Sequence, residues 1–318
     1  MNPLRHLACA VVLVLCSAGG FAQAPDYQLK ARAVAKDTWV IEGANDDFSR
    51  QNGCNIINTG FIATSAGTLV INTGPSRQYG EQQRKLIQRT TRQPVVAVFN
   101  LNLHPDYFFG NQAWADVPSF ALPGSRRGMQ AEGGAYADNL YKLCGDWMLG
   151  TESTPAARPL EPATQQWGDH QIVLKRLHGH TSDDLVLLDK STGVVFAGGL
   201  VFANRAPTTP HADVAAWLDS LQRLEKDMAD LPASLVVPSH GPVDQGRAGL
   251  AQTRRYITWL DAALRTAALQ GLDLVEAMQL PLPAEFKGFA AMDAEFPRSV
   301  VHLYPAYEKK ALAGDLQK

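Results

Sequence analysis

Charge of one sign is nearly absent as an excess: 29 Lys and Arg stand against 31 Asp and Glu, a formal net charge of -2. Without a basic stretch there is no electrostatic footprint for a phosphate backbone, which excludes nucleic acid as a partner. Long apolar runs are missing too. The longest, residues 7–16, falls short of the ~20 residues that span a bilayer, so no transmembrane segment is expected in the processed chain. Cysteine is scarce: Cys9, Cys16, Cys54 and Cys144 are the four, and none has a Cys-x-x-Cys partner. That spacing excludes a thiolate zinc site and a redox dithiol. Repeats and low-complexity tracts are also lacking. What the 318 residues do have is 46% hydrophobic and 19% charged content, enough to bury a sizeable core.

Residues 1–24 do not belong to that core. Arg5 and His6 precede the apolar stretch, and small residues follow, ending in Ala22-Gln23-Ala24. This is the anatomy of a signal peptide, with cleavage after Ala22 favoured because Pro25 directly follows the alternative site. Leu15 is bulkier than a lipid-attachment site at Cys16 accepts. The mature chain, residues 25–318, is therefore expected to be a single exported domain, periplasmic or secreted, with helices at its C-terminal end. Cys9 and Cys16 leave with the signal, and Cys54 and Cys144 remain. In an oxidising compartment the two are candidates for a disulfide; two buried thiols are the alternative.

The mature chain reads in two rounds of strands followed by helices. A strand pair is expected within residues 28–43, and a hairpin joins apolar runs at 55–61 and 68–71 around Ser65-Ala66-Gly67. Residues 76–89 have helical spacing, 95–103 are Val-rich and read as a buried strand, and another helix opens after His104-Pro105. Residues 124–149 read as helix and 152–164 as a polar connection. Short strands follow at 172–177, 185–188 and 194–196. An amphipathic helix capped by Asp213 covers 214–228, a last strand lies at 235–237, and helices at 246–269 and 296–312 close the chain. This order favours two sheets packed face to face between outer helices.

Four polar segments each follow an apolar run: Asn102-Leu103-His104-Pro105-Asp106-Tyr107, His178-Gly179-His180-Thr181, Ala197-Gly198-Gly199-Leu200 and Pro238-Ser239-His240-Gly241. Segments at strand ends converge on one rim of a sheet, where separate loops build a single site.

With these segments the chain resembles the metallo-β-lactamase superfamily. More narrowly, it is similar to exported metallohydrolases of the quinoprotein relay type, through Asn52-Gly53-Cys54-Asn55, His104-Pro105-Asp106, Phe109-Gly110-Asn111 and Tyr304-Pro305-Ala306-Tyr307-Glu308. The resemblance implies an α+β fold, a four-layer αβ/βα sandwich with a dinuclear metal site at one sheet edge. It also implies a small-molecule substrate or ligand and work near a periplasmic quinoprotein oxidation system. The family signature His-x-His-x-Asp-His corresponds here to Asn102, His104, Asp106 and Tyr107, so two of its four positions depart. The later histidines correspond to His180 and His240. Gly199 replaces the bridging aspartate, and Asn72 replaces an acidic residue in the Asn72-Thr73-Gly74 turn.

Gly199 has no side chain with which to bridge, and two dications at ~3.5–4 Å need anionic ligands to offset their repulsion. One ion or none is the expectation. The ligand candidates are His104, Asp106, His180 and His240. A set of His104, His240 and Asp106 would suit zinc or iron if the segments shift, with Asp106 orienting a water for hydrolysis. Asn102 and Tyr107 are weak substitutes for imidazole. Alternatively, the four residues satisfy one another without metal, and the protein is a catalytically inactive ligand-binding or accessory protein. His178 and His211 are read as solvent-facing loop residues, and His170 and His302 carry no motif. Ser182 and Ser239 lie near histidines, but spacing shows neither base nor orienting group for them. Phe108, Phe109 and Trp114 are candidates for lining the cleft, with core packing as the alternative.

Overall fold

The computed structural model describes residues 25–229, 231, 235–243 and 247–316. The expected signal peptide, with Cys9 and Cys16, lies outside them. Strands β1 (Arg32–Ala35), β2 (Thr38–Ile41), β3 (Thr59–Thr64) and β4 (Gly67–Ile71) lead into helix α1 (Arg77–Thr91) and strand β5 (Val95–Phe99). Helix α2 (Pro105–Phe108) runs into a 3-10 segment, Phe109–Trp114, followed by β6 (Ser119–Ala121), α3 (Pro123–Cys144) and β7 (Arg158–Pro159). The second round comprises β8 (Ala163–Trp167), β9 (His170–Leu177), β10 (Asp184–Asp189), β11 (Val194–Phe196), α4 (Val214–Asp227) and β12 (Leu235–Val237). Helices α5 (Ala248–Leu269), α6 (Leu274–Ala277) and α7 (Met292–Leu312) complete it. Among the described residues, β1 to β7 form one sheet in sequence order, and β12-β11-β10-β9-β8 form the second.

The interior strands read as unbroken apolar runs because both faces of each sheet are covered there. Leu69 and Ile71 of β4, Ala97 and Phe99 of β5, Ile172 and Leu174 of β9, and Leu185 and Leu187 of β10 share the core between the sheets. The alternate residues Val70 and Val98 pack outward with Tyr79 and Ile87 of α1. Val173, Val186 and Leu188 pack outward with Trp217 of α4 and with α5 and α7. The result is the expected four-layer αβ/βα sandwich.

Two helix starts follow their capping chemistry: Ser76 accepts a hydrogen bond from the Tyr79 amide and Asp213 one from the Ala216 amide. Sequence patterning missed three short strands, β6, β7 and β8. Ala163–Trp167 is mostly exposed at a sheet edge, so it lacks the apolar run that marks an interior strand. Phe108, Phe109 and Trp114 are core residues and do not line the cleft. Cys54 and Cys144 are joined as a disulfide, with Cα atoms 5.9 Å apart. The bridge ties the 47–54 loop to the end of α3. Asn52 orders that loop by accepting from the Ser49 and Cys54 amides and donating to the Asp47 carbonyl.

Candidate functional site

The segments that follow β4, β5, β9, β11 and β12 meet at one rim of the sandwich. Gly110 lets the loop after β5 approach the turn after β4, since a Cβ there would lie 2.0 Å from the Thr73 carbonyl oxygen. Asn111 then stitches the two together, accepting from the Thr73 hydroxyl at 2.9 Å and donating to Asn100 at 2.9 Å. Asn72 has a structural role: with φ 56° it turns the chain, and its side-chain oxygen accepts from the Leu101 amide at 2.9 Å.

The four ligand candidates fall into two pairs. His180 Nε2 lies 3.1 Å from His104 Nδ1, and His240 Nε2 lies 3.5 Å from Asp106 Oδ2. Among the described residues the pairs do not converge, since the one group of three or more His, Cys, Asp or Glu ligand atoms within 4.8 Å of one another lies elsewhere. The ligand atoms of His104, His240 and Asp106 are not within 4.8 Å of one another in this arrangement.

His104 continues to a residue that sequence reasoning left in solvent. Its Nε2 lies 3.2 Å from His211 Nδ1, His211 Nε2 lies 3.1 Å from Glu132 Oε2, and the Tyr136 hydroxyl donates to the same oxygen at 2.6 Å. Ionised Glu132 only accepts, which sets the direction of the whole chain when the imidazoles are neutral. His211 Nε2–H donates to Glu132, His104 Nε2–H donates to His211, and His180 Nε2–H donates to His104. His180 Nδ1 is then a bare lone pair, and it is one of the buried atoms without a partner. Burial, reinforced by the neighbouring histidines, holds His104 well below the ordinary imidazole range and His180 down to about 3. Neutral His104 and His180 rings are the consistent state.

The second pair has a related constraint. His240 Nδ1–H donates to the Ile56 carbonyl at 2.8 Å, so Nε2 presents a lone pair to Asp106. Two acceptors facing each other are relieved by a proton. Burial pushes the Asp106 carboxyl up to about 7 and holds His240 well below its ordinary value. Below that pH, Asp106 is neutral and the opposition of two bare acceptors is removed. Asp106 Oδ2, the Tyr107 hydroxyl and Asn102 Nδ2 are also buried without hydrogen-bond partners, which concentrates unsatisfied polarity at this rim.

The donor set does not fit a family-type metal pair. Each half offers two protein ligands where zinc sites use three or four, and the His104–His180 pair is already engaged in a hydrogen bond. The bridging position is filled: a Cβ on Gly199 would lie 2.0 Å from His180 Cδ2 and 2.7 Å from Asn102 Nδ2. Glycine here is what allows the His180 ring its place.

Beside these residues opens a cavity of about 370 Å³, with Phe48, Ile56, Tyr136, Leu140 and Leu143 supplying much of its apolar wall. Its polar floor was missed by sequence reasoning. Buried Arg205 lies 3.5 Å from Glu295, and Arg298 reaches Glu295 at 3.1 Å and Asp47 at 2.8 Å. Arg205 also donates to the Asp46 and Ala206 carbonyls. Glu295, Arg298 and His302, on successive turns of α7 at spacings of three and four residues, line the cavity, and that spacing was the available signal. His178 is exposed and bonds locally to the Ser182 carbonyl. Ser239 bonds to the Val201 carbonyl.

The family model of the metallo-beta-lactamase superfamily matches residues 52–240. Among solved structures, the chain is similar to a metallo-beta-lactamase from Pontibacter korlensis, at 23% identity over 73% of this chain and 99% of that one, TM-score 0.56. It is similar to metallo-beta-lactamase IND-7 at 16% identity over 73% and 98%, TM-score 0.59. It is also similar to FIM-1 from Pseudomonas aeruginosa in its mono-zinc form at 19% identity over 73% and 95%, TM-score 0.57.

Proposed function

Because this chain belongs to the metallo-beta-lactamase superfamily while its bridging position is occupied by a histidine ring, we propose that it is an exported ligand-binding or accessory protein. Its cleft takes a small organic molecule without a dinuclear metal centre. The observation that carries this reading is the contact at Gly199, where the family's bridging carboxylate has no room beside His180. The ~370 Å³ cavity is of ligand size, apolar on its walls with convergent polar groups at its base. The size and balance of these groups suit a compact, largely apolar molecule with a hydrogen-bonding head. Export through residues 1–24 and work beside a periplasmic quinoprotein system belong to the same proposal. The Cys54–Cys144 bridge supports an oxidising compartment.

A second reading is a hydrolase with one zinc or iron ion. It is favoured by the His240 and Asp106 pair, because a ring nitrogen anchored on a backbone carbonyl is the usual support of a metal-binding imidazole.

Location decides between the two. Anomalous diffraction at the zinc and iron edges, from protein recovered from the periplasm, is expected to show no ion at the cleft. Small organic ligands are expected to raise the melting temperature equally with and without chelator, and Leu140→Trp, which fills the cavity, is expected to abolish that rise. An ion at Asp106, with ester, thioester or lactam turnover lost on chelation and in Asp106→Asn, establishes the second reading. An occupied ion pair overturns both.

A further inference from the structure

The group of ligand atoms that does converge lies at the opposite rim. Asp37 sits in the turn between β1 and β2, and Asp169 and His170 sit where β8 turns into β9. Their ligand atoms lie within 4.8 Å of one another. The two turns belong to different sheets and are held together independently of any ion. The Ser65 amide, in the β3–β4 turn, donates to Asp169 Oδ1 at 2.8 Å. A Cβ on Gly168 would lie 2.3 Å from Ser65 Oγ, so the approach of the two sheets is close and its geometry defined.

His170 sets this cluster apart from exposed acidic groups. It is 3% exposed, and its Nδ1 lies 2.8 Å from Oδ2 of fully buried Asp189. Asp189 is itself oriented by the Thr192 hydroxyl at 2.6 Å and the Ser191 amide at 3.0 Å. A carboxylate on Nδ1 fixes that nitrogen as the donor, so that in the neutral ring Nε2 carries the lone pair, the arrangement that supports metal-binding histidines. No hydrogen bond engages Nε2 among the described residues, and the ring lines a cavity with Lys36, Asp169, Ser191 and Thr192.

We infer that Asp37, Asp169 and His170 form a divalent-cation site that clamps the two sheets at the rim opposite the cleft, with Asp189 as the support of His170. Two anionic oxygens and one imidazole suit zinc, which takes three protein ligands with a water in the fourth position. Lys36 is the competing cation: its ammonium lies 3.9 Å from Asp37 Oδ2. Its side chain is 83% exposed, so it can swing into solvent as the ion enters.

The test uses the mature, disulfide-bonded chain, stripped with chelator and titrated with zinc by calorimetry. Beside it run the turn variant Asp37→Asn/Asp169→Asn and the cleft variant His104→Ala/Asp106→Asn. One equivalent is expected in the parent and in the cleft variant, weakened by about tenfold or more in the turn variant. Cobalt-induced NMR shifts in the unmutated chain locate the ion whatever the variants do to folding, and are expected to centre on residues 36–37, 65 and 169–170. Zinc binding undiminished in the turn variant, shifts centred on His180 or His240, or no stoichiometric binding by the parent would each overturn the assignment.

Discussion

Strand β9 has a histidine at either end of the sandwich, His170 where it begins and His180 just beyond its last residue, and the two meet opposite surroundings. His170 lies against a buried carboxylate at 2.8 Å, whereas His180 lies against another imidazole at 3.1 Å. The carboxylate fixes one nitrogen of His170, a residue that stands beside two acidic groups. The imidazole chain commits His104 and His180 to each other and strands a nitrogen of His180 in the core. Burial decides the protonation of the cleft ring, and a fixed partner decides the tautomer of the other. Ligand-forming residues have thus lost convergence at the rim where the family motif lies and gained it at the rim where no motif points.

The largest expected effect concerns the cleft rim alone. Cys54→Ser/Cys144→Ser removes the bridge closing a 90-residue separation. It is expected to cost about 2–5 kcal/mol in chemical denaturation and to speed hydrogen exchange in the 47–54 loop more than at the β8–β9 turn. Equal loosening of both rims would show that the bridge does not act locally.

Next in size, Gly199→Asp forces a side chain into the space of His180 and Asn102. It is expected to cost about 1–3 kcal/mol by overpacking, with a lower melting temperature and no gain in zinc stoichiometry. A stable variant that binds two ions would reverse the comparison of the rims.

The pH dependence has a definite sign. A carboxyl whose folded value is about 7, against an unfolded value near ~4, holds its proton longer in the folded state. Asp106 therefore lowers stability progressively as pH rises from ~4 to ~7, and that cost stays above it. Asp106→Asn, which cannot ionise, is expected to melt higher than the parent at pH 8 and level with it at pH 4. His180, held down to about 3, acts in the other direction: its neutral folded form costs stability as pH falls below ~6.5. An Asp106→Asn advantage that persists at pH 4 would show that the gain is not electrostatic.

The smallest expected effect is at His211, a partly exposed member of the imidazole chain. Its replacement by alanine should cost about 1 kcal/mol, the net value of one hydrogen bond at a partly exposed position. The NMR signals of the His104 and His180 rings should nevertheless shift, because the replacement removes the acceptor of the His104 Nε2–H.

Much of the fold was legible because its signals are local. The apolar runs of β4 and β5, the Ser76 and Asp213 caps, and the amphipathic face of α4 each lie within a short stretch of chain. β6, β7 and β8 escaped notice because two or three residues, or a polar edge, leave no pattern to read. At the site, His104, Asp106, His180 and His240 were found from their places after apolar runs, and the structure does bring all four to one rim. Their division into pairs was not legible, nor was the role of His211, which is set by Glu132 and Tyr136 on a helix distant in sequence. His170 carried no motif, since its partner Asp189 comes from the neighbouring strand and the nearby Asp37 from the other sheet.

By itself the sequence determined the layers, the strand-end loops, the loss of two imidazoles at Asn102 and Tyr107 and the loss of a carboxylate at Gly199, all of which follow from residue type and local spacing. Only the tertiary structure decided which ring nitrogen meets which acceptor, that an imidazole fills the bridging position, and that two aspartates and a histidine meet at the far rim. Such contacts depend on how two twisted sheets stack and on their register. Displacements of about an ångström at that level separate a hydrogen bond from a ligand set, and no local pattern encodes them.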